Sequence, residues 1–241
     1  MRRYHVGVVH KSDAGRFRHE ALAVVFRIVD SRLRILAWQR TRDPYTGRWA
    51  LPSGPVAEGE MLRACVARNL ATKVDLNQIA HLEQLETRSD PGRDPFQRTI
   101  ATAYMGLVPV DAEPRLPDNA DWLDAEELPD MAFDHASIVD SALGRLRSKL
   151  SYSNLGFALA SRTFTIAQLR ELYAVALGHD VSATNLQRVL SRRGQLEPTG
   201  AKAPSTSSGG RPAALFRFTR QQLEITDPFA AFRPLEPKDG A

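Results

Sequence analysis

Arg188, Arg192 and Arg193, interleaved with Thr184, Asn185, Gln187 and Ser191, put guanidinium, amide and hydroxyl groups on one short segment. Such groups reach the base edges and phosphates of a nucleic-acid duplex. From Thr184 to Arg220 the chain carries seven bases, Arg188, Arg192, Arg193, Lys202, Arg211, Arg217 and Arg220, against a single acid, Glu197. That surplus can neutralise phosphates and release counterions, the main source of sequence-independent nucleic-acid affinity. On charge alone, a basic face that is merely solvated explains it equally well.

For this chemistry to work the segment must be a helix with a buried apolar stripe. Leu186, Val189 and Leu190 supply the stripe, Ser182 a cap and Gly194 a stop, so a helix is predicted over Ala183–Arg193. Thr184, Asn185, Arg188, Ser191 and Arg192 then share its exposed side. A preceding helix opens at Thr165, where Gln168 completes a capping box, and ends at Gly178. Two helices joined by about four residues form a helix-turn-helix pattern. Gln195–Pro198 and Ala213–Phe218 are expected to pair as strands around a long Gly-, Ser- and Pro-containing loop, which carries Arg211 in the manner of a wing. The tail after Asp227 contains Pro228, Pro234 and Pro237 and is expected to be flexible.

The charge is unevenly shared. Residues 1–150 hold 21 Lys+Arg against 21 Asp+Glu, whereas residues 151–241 hold 11 against 7 and carry the whole formal charge of +4. A length of 241 residues with 43% hydrophobic and 25% charged residues suits one large or two small folded domains and excludes a disordered chain. The one cysteine, Cys65, excludes a disulfide framework within the chain, and no Cys/His spacing fits a zinc site. Leu22–Phe26, the longest strongly apolar run near the start, is too short for a bilayer span or a signal-peptide core. A soluble, cytoplasmic protein without membrane contact is the expectation.

The first half alternates strand and turn signals. Ala21–Asp30 and Arg32–Arg40 form a predicted hairpin, Trp49–Pro52 a strand end, and Gly54-Pro55 a turn. Leu62, Cys65, Val66 and Leu70 recur at helical spacing within Met61–Val74. His81–Thr87 and Thr99–Val110 are strand candidates, and Pro109–Pro117 is a loop. Ala136–Leu150 is helical, with Ile138, Val139, Ala142, Leu143, Leu146 and Leu150 on one face; it joins the halves and offers that face to another chain. Tyr152–Ala160 is too short for periodicity to decide. The organisation is a mixed α/β domain over 1–150, a helix-turn-helix domain over 151–226 and a tail over 227–241.

The segment Gly54–Leu76 resembles the Nudix box: a Gly, five residues, a Glu, seven residues, Arg-Glu, an aliphatic residue, any residue, Glu-Glu, any residue, a Gly and an aliphatic residue. Gly54, Glu60, Arg68, Leu70 and Leu76 match with the spacing intact. Asn69, Thr72 and Lys73 stand where the family has glutamates, and Asp75 replaces the closing glycine. Carboxylates three and four residues apart on a helix face hold divalent cations through oxygen, and those cations polarise a diphosphate and activate water. This face offers an amide, a hydroxyl and an ammonium, so neither a metal, nor catalytic residues, nor hydrolysis is expected.

Taken with other stretches, the chain is similar to the Nudix-related transcriptional regulator family NrtR, a Nudix-like domain followed by a winged helix. The matching stretches are Trp49–Gly54, Leu82–Glu86, Ser89–Pro95, Ala132–His135, Arg145–Tyr152 and Gly210–Phe218. The resemblance implies a homodimeric repressor of NAD biosynthesis or salvage genes. It would bind a palindromic DNA operator, with two winged helices on successive major-groove faces about 34–36 Å apart. ADP-ribose or a related NAD metabolite is the implied effector; a domain that has lost that response is the alternative.

Thr184, Asn185, Gln187, Arg188, Ser191, Arg192, Arg193, Lys202 and Arg211 are the candidate DNA contacts, although Thr184 and Asn185 could instead help cap the helix. Trp49, Glu60, Arg68, Arg93 and Arg98 are the candidate effector contacts: Trp49 to stack on a base, Arg93 and Arg98 to meet a diphosphate. Arg68 could instead pair with Glu60, and His135 is expected to be structural. One rival is a Mg-dependent Nudix hydrolase acting on ADP-ribose or another nucleoside diphosphate derivative, using Glu58, Glu60 or Asp94. Another is a sensor whose basic domain meets RNA or protein, which the lack of an aromatic-rich platform disfavours.

Overall fold

The computed structural model describes residues 15–204 and 212–227. Its first half is a mixed sheet of seven strands: β1 (Arg18–Val29), β2 (Arg32–Gln39), β3 (Trp49–Ala50), β4 (Ser53–Pro55), β5 (His81–Arg88), β6 (Thr99–Leu107) and β7 (Ala120–Asp124). The main path runs β3-β2-β1-β6-β5; β4 pairs with β1 and β7 with β2. Among the described strand pairs of this sheet β1 and β6 run parallel and the others antiparallel.

The central strand explains why this half begins with an unbroken apolar run. Leu22, Val24, Phe26 and Ile28 enter one core, and Ala21, Ala23 and Val25 enter the other, so period-two alternation distributes the run over two covered faces. Helix α1 (Leu62–Val74) covers the second face with Cys65, Val66, Leu70 and Val74. Helix α2 (His135–Tyr152) covers the first with Ile138, Val139, Ala142, Leu146 and Leu150. The hairpin joining β1 and β2 turns through Asp30 (φ 49°) and Ser31 (φ 55°), the two left-handed residues that a two-residue loop of matching twist needs.

After α2 the chain makes a 3-10 turn (Leu155–Ala158), then α3 (Ile166–Leu177) and α4 (Ala183–Arg192), then the paired strands β8 (Leu196–Lys202) and β9 (Ala214–Phe218). The Thr165–Gln168 capping box is present in both directions, and Gly178 ends α3 at φ 77°. Phe164 adds a third rung beside β9, exchanging backbone hydrogen bonds with Phe216 at 2.8 and 3.0 Å. Helix, turn, helix and β-wing are thus assembled as the sequence predicts.

Four features depart from the sequence reading. Gly54-Pro55, read as a turn, lies within β4 and pairs with Ala21 and Glu20 of β1. Ala120–Asp124 is a strand, hidden in the sequence by the acids at 121 and 124. Tyr152–Ala160, left undecided, splits between the end of α2 and the 3-10 turn. The apolar face of α2 is not offered to another chain: Ile138, Val139, Ala142 and Leu146 are fully buried in this chain's own core, which continues into α3 and α4. Arg211, most of the wing loop and the proline-containing tail lie outside the described residues. No described helix is long and apolar enough to cross a membrane.

Candidate nucleic-acid interface and ligand cavity

Helix α4 owes its position to its own ends and stripe. The Ser182 hydroxyl accepts the Asn185 N–H at 3.4 Å, Gly194 takes φ 65° beyond the last turn, and Leu186 and Leu190 are buried with Val189 half-buried. Thr184, Asn185, Arg188, Ser191 and Arg192 are therefore all exposed, with Gln187 half-buried at the edge. Arg188 Nη2 donates to Asn185 Oδ1 at 2.8 Å, which orients the guanidinium across the face. Asn185 supplies no cap; its side chain holds Arg188 instead.

The neighbouring bases separate into two sets. Arg217 donates to Glu197 at 2.6 Å, and Arg220 lies 3.7 Å from Glu224. Arg193, a candidate DNA contact by sequence, is turned inward: it donates to Asp227 and to the Ser151 carbonyl, each at 2.8 Å, tying the end of α4 to the end of α2. Among the described residues, Arg188, Arg192 and Lys202 have no carboxylate partner, and all three are exposed. Their charge is available to phosphates at little desolvation cost.

The degenerate Nudix box shows where each replacement went. Asn69 is buried, and its Nδ2 donates to the Cys65 carbonyl at 2.8 Å while its amide fills the space beside Gly54. Thr72 donates its hydroxyl back to the Arg68 carbonyl at 2.8 Å. Lys73 reaches the Ser53 carbonyl and lies 4.6 Å from the centre of the Trp38 ring; burial lowers its pKa. Asp75, in the family's glycine position, takes the left-handed φ of 49° that ends α1, a conformation Asp tolerates better than most residues.

Beside these residues lies a cavity of about 760 Å³, walled by Arg18, Glu20, Trp38, Arg40, Lys73, Asp94, Phe96 and Phe133 among others. Arg40 is stacked 4.7 Å over Phe133 and donates to the Pro44 carbonyl at 2.7 Å; burial pulls its pKa down. Trp38 and Arg40, two apart on and just beyond β2, share a face for the simplest strand reason. That periodicity was the one signal by which the sequence could have assigned them to a ligand site.

The effector candidates chosen from sequence do not gather here. Trp49 packs against the core, its carbonyl accepting the Ala132 N–H at 2.8 Å. Arg68 makes two hydrogen bonds of 2.7 Å to Glu60, which also accepts the Ala57 N–H; this clasp closes the loop ahead of α1 and holds the Glu60 carboxyl down at about 2. Arg93 is buried on Asp134, and Arg98 donates to the Ser89 carbonyl while covering Phe17. All five have structural partners instead of a shared pocket: Glu60 and Arg68 hold each other, Arg98 meets its own loop, and Arg93 and Trp49 are taken up by the segment ahead of α2.

The Nudix reaction needs divalent cations, and the residues present do not fit one. Among the described residues no group of three or more His, Cys, Asp or Glu side chains is placed to hold a metal. Glu20 pairs with Arg18 at 2.6 Å, and Asp94 accepts the Phe96 N–H and the Thr99 hydroxyl.

Comparison with known proteins agrees with this arrangement. Residues 156–218 match the family model described as the NrtR DNA-binding winged helix domain, and residues 18–142 match the NUDIX domain model. The chain is 30% identical over 211 residues to the ADPR responsive transcriptional repressor NtrR of Acinetobacter baylyi, covering 85% of this chain and 83% of that one. It is 30% identical to Shewanella oneidensis NrtR in the crystal structure of that protein complexed with a 27mer DNA, with a TM-score of 0.71 and coverage of 83% and 92%. Over 145 residues it is 31% identical to the ADP-ribose pyrophosphatase of Methanocaldococcus jannaschii, covering 57% of this chain and 83% of that one.

Proposed function

This chain belongs to the NrtR family of Nudix-related regulators, and on that premise we propose that it is a DNA-binding transcriptional repressor whose Nudix-like half senses ADP-ribose or a related NAD metabolite. The observation that carries the DNA-binding role is α4: a capped helix that buries Leu186 and Leu190 and turns Thr184, Asn185, Arg188, Ser191 and Arg192 to solvent beside a β-wing. Phosphate contact falls to Arg192 and Lys202, and base contact to Arg188, with Thr184, Asn185, Gln187 and Ser191 beside it. The operator is a palindrome read by a homodimer, and the regulated genes are those of NAD biosynthesis or salvage. We divide the chain into a sensor over 1–150 and a DNA reader over 151–226.

The Nudix-like half is catalytically inactive in this reading, since Asn69 is buried, the exposed Thr72 gives its hydroxyl to the backbone of its own helix, and Lys73 brings a positive charge to the cavity. A mobility-shift titration tests the DNA-binding role. A palindromic duplex recovered by genomic footprinting should bind, with affinity falling steeply as salt rises, and scrambled DNA of equal length should not. Equal binding to both duplexes would reduce α4 to a non-specific basic face. Mg²⁺-dependent cleavage of ADP-ribose to AMP and ribose 5-phosphate would restore the hydrolase reading.

A further inference from the structure

Of the three residues that replace the metal-binding glutamates, only Lys73 lines the cavity. Its side chain is held at two points: the ammonium donates to the Ser53 carbonyl and lies over the Trp38 ring. An ammonium has three donors, and one goes to Ser53, so donors remain for a ligand. Arg18, Arg40 and Arg42 stand on the same walls, and the cavity's carboxylates are engaged, Glu20 by Arg18, Asp43 by the Thr46 hydroxyl, and Asp94 by the Phe96 N–H and the Thr99 hydroxyl. The cavity therefore repels a divalent cation at Lys73, and among the described residues no carboxylates are grouped to hold one, yet it presents fixed positive charge to an anion.

We propose that the Lys73 ammonium is a built-in cation that takes the place of the divalent metal, so that the cavity binds a nucleoside diphosphate sugar through its diphosphate without any metal. The proposal rests on the effector role given above to the Nudix-like half and adds its chemistry. Lys73 and Arg40 neutralise the two phosphoryl groups, and the exposed ring of Phe96 and the ring of Phe133 flank the space left for the base or sugar. A metal-free site answers to effector concentration alone, and Mg²⁺ does not gate it.

Calorimetric titration of the full chain with ADP-ribose, in EDTA and again in Mg²⁺, tests this. The two affinities should agree within about twofold, and Lys73→Gln should lower both roughly tenfold or more, because a charge-assisted hydrogen bond is lost. Gln keeps a side-chain N–H donor for the Ser53 carbonyl, so the comparison isolates the charge. Binding that appears only with Mg²⁺, or a Lys73→Gln variant that binds like the parent, overturns the built-in cation. Should the Gln variant fail to fold, the comparison of EDTA with Mg²⁺ on the parent chain decides alone. Absence of heat in both buffers, with operator binding intact, overturns the effector reading itself and this proposal with it.

Discussion

Arg93 donates to Asp134 at two points, Nη2 to Oδ1 at 2.8 Å and Nε to Oδ2 at 3.2 Å, and so fastens the loop after β5 to the residue that precedes α2. The Arg93 side chain is only 2% exposed, and Asp134 is its counter-charge. Because α2 leads directly into the winged helix, this pair fixes the start of the element that joins the two halves.

Removing the carboxylate leaves a buried guanidinium without its counter-charge. Asp134→Ala should lower the free energy of unfolding by about 3 kcal/mol, read as a shift in the urea midpoint with an unchanged slope. A midpoint identical to the parent's would show that Arg93 does not depend on Asp134.

On α4, Arg188→Ala removes an exposed guanidinium and no buried surface. Operator affinity should drop by roughly ten- to a hundredfold while the thermal midpoint stays put, since a good base contact contributes about 1–3 kcal/mol. Arg193→Ala should do the reverse, lowering the midpoint through the lost ties to Asp227 and Ser151. Full operator affinity in the Arg188 variant at physiological salt would remove that residue from the interface.

His135 predicts an acid limb of stability. Its Nδ1 accepts the Leu51 N–H at 3.0 Å, and burial keeps the ring neutral, lowering its pKa from the usual 6.5 to about 3. Below 6.5 the unfolded chain takes up a proton that the folded chain refuses, so this contribution is complete above 6.5 and is lost as pH falls toward 3. Each pH unit in that window corresponds to about 1.4 kcal/mol. His135→Gln keeps a side-chain acceptor for Leu51 and removes the proton uptake. From pH 6.5 to about pH 4.5 the parent should lose about 2–3 kcal/mol more than the variant in urea unfolding; parallel losses would refute the assignment.

Glutamate restored at 69, 72 and 73 should restore Mg²⁺ uptake, measured by calorimetry against the parent chain, since carboxylates at those helical spacings then share one face. The buried setting of Asn69 beside Gly54 makes that position the costliest of the three, and the single Asn69→Glu variant should unfold at lower temperature. Lack of metal uptake by a folded triple variant would mean that the site has diverged beyond the box.

The sequence by itself determined what depends on near neighbours. The capping box at Thr165 and Gln168, the stops at Gly178 and Gly194, the Asp30-Ser31 turn and the exposed face of α4 are all settled within a few residues by dihedral preference, periodicity and local hydrogen bonding. The loss of the box glutamates was equally legible, because spacing is a property of the chain. Tertiary structure alone decided which charged side chains are free. Arg93 finds Asp134 from 41 positions away, and Arg193 finds Asp227 from 34. Likewise Trp38, Arg40, Lys73 and Phe133 meet around one cavity, while Trp49 is drawn into the core. The Glu60–Arg68 pair, eight residues apart, could be read from sequence, but the availability of Arg93 and Arg193 depends on which carboxylate the packing of distant segments brings beside each, and no short window of sequence contains both partners.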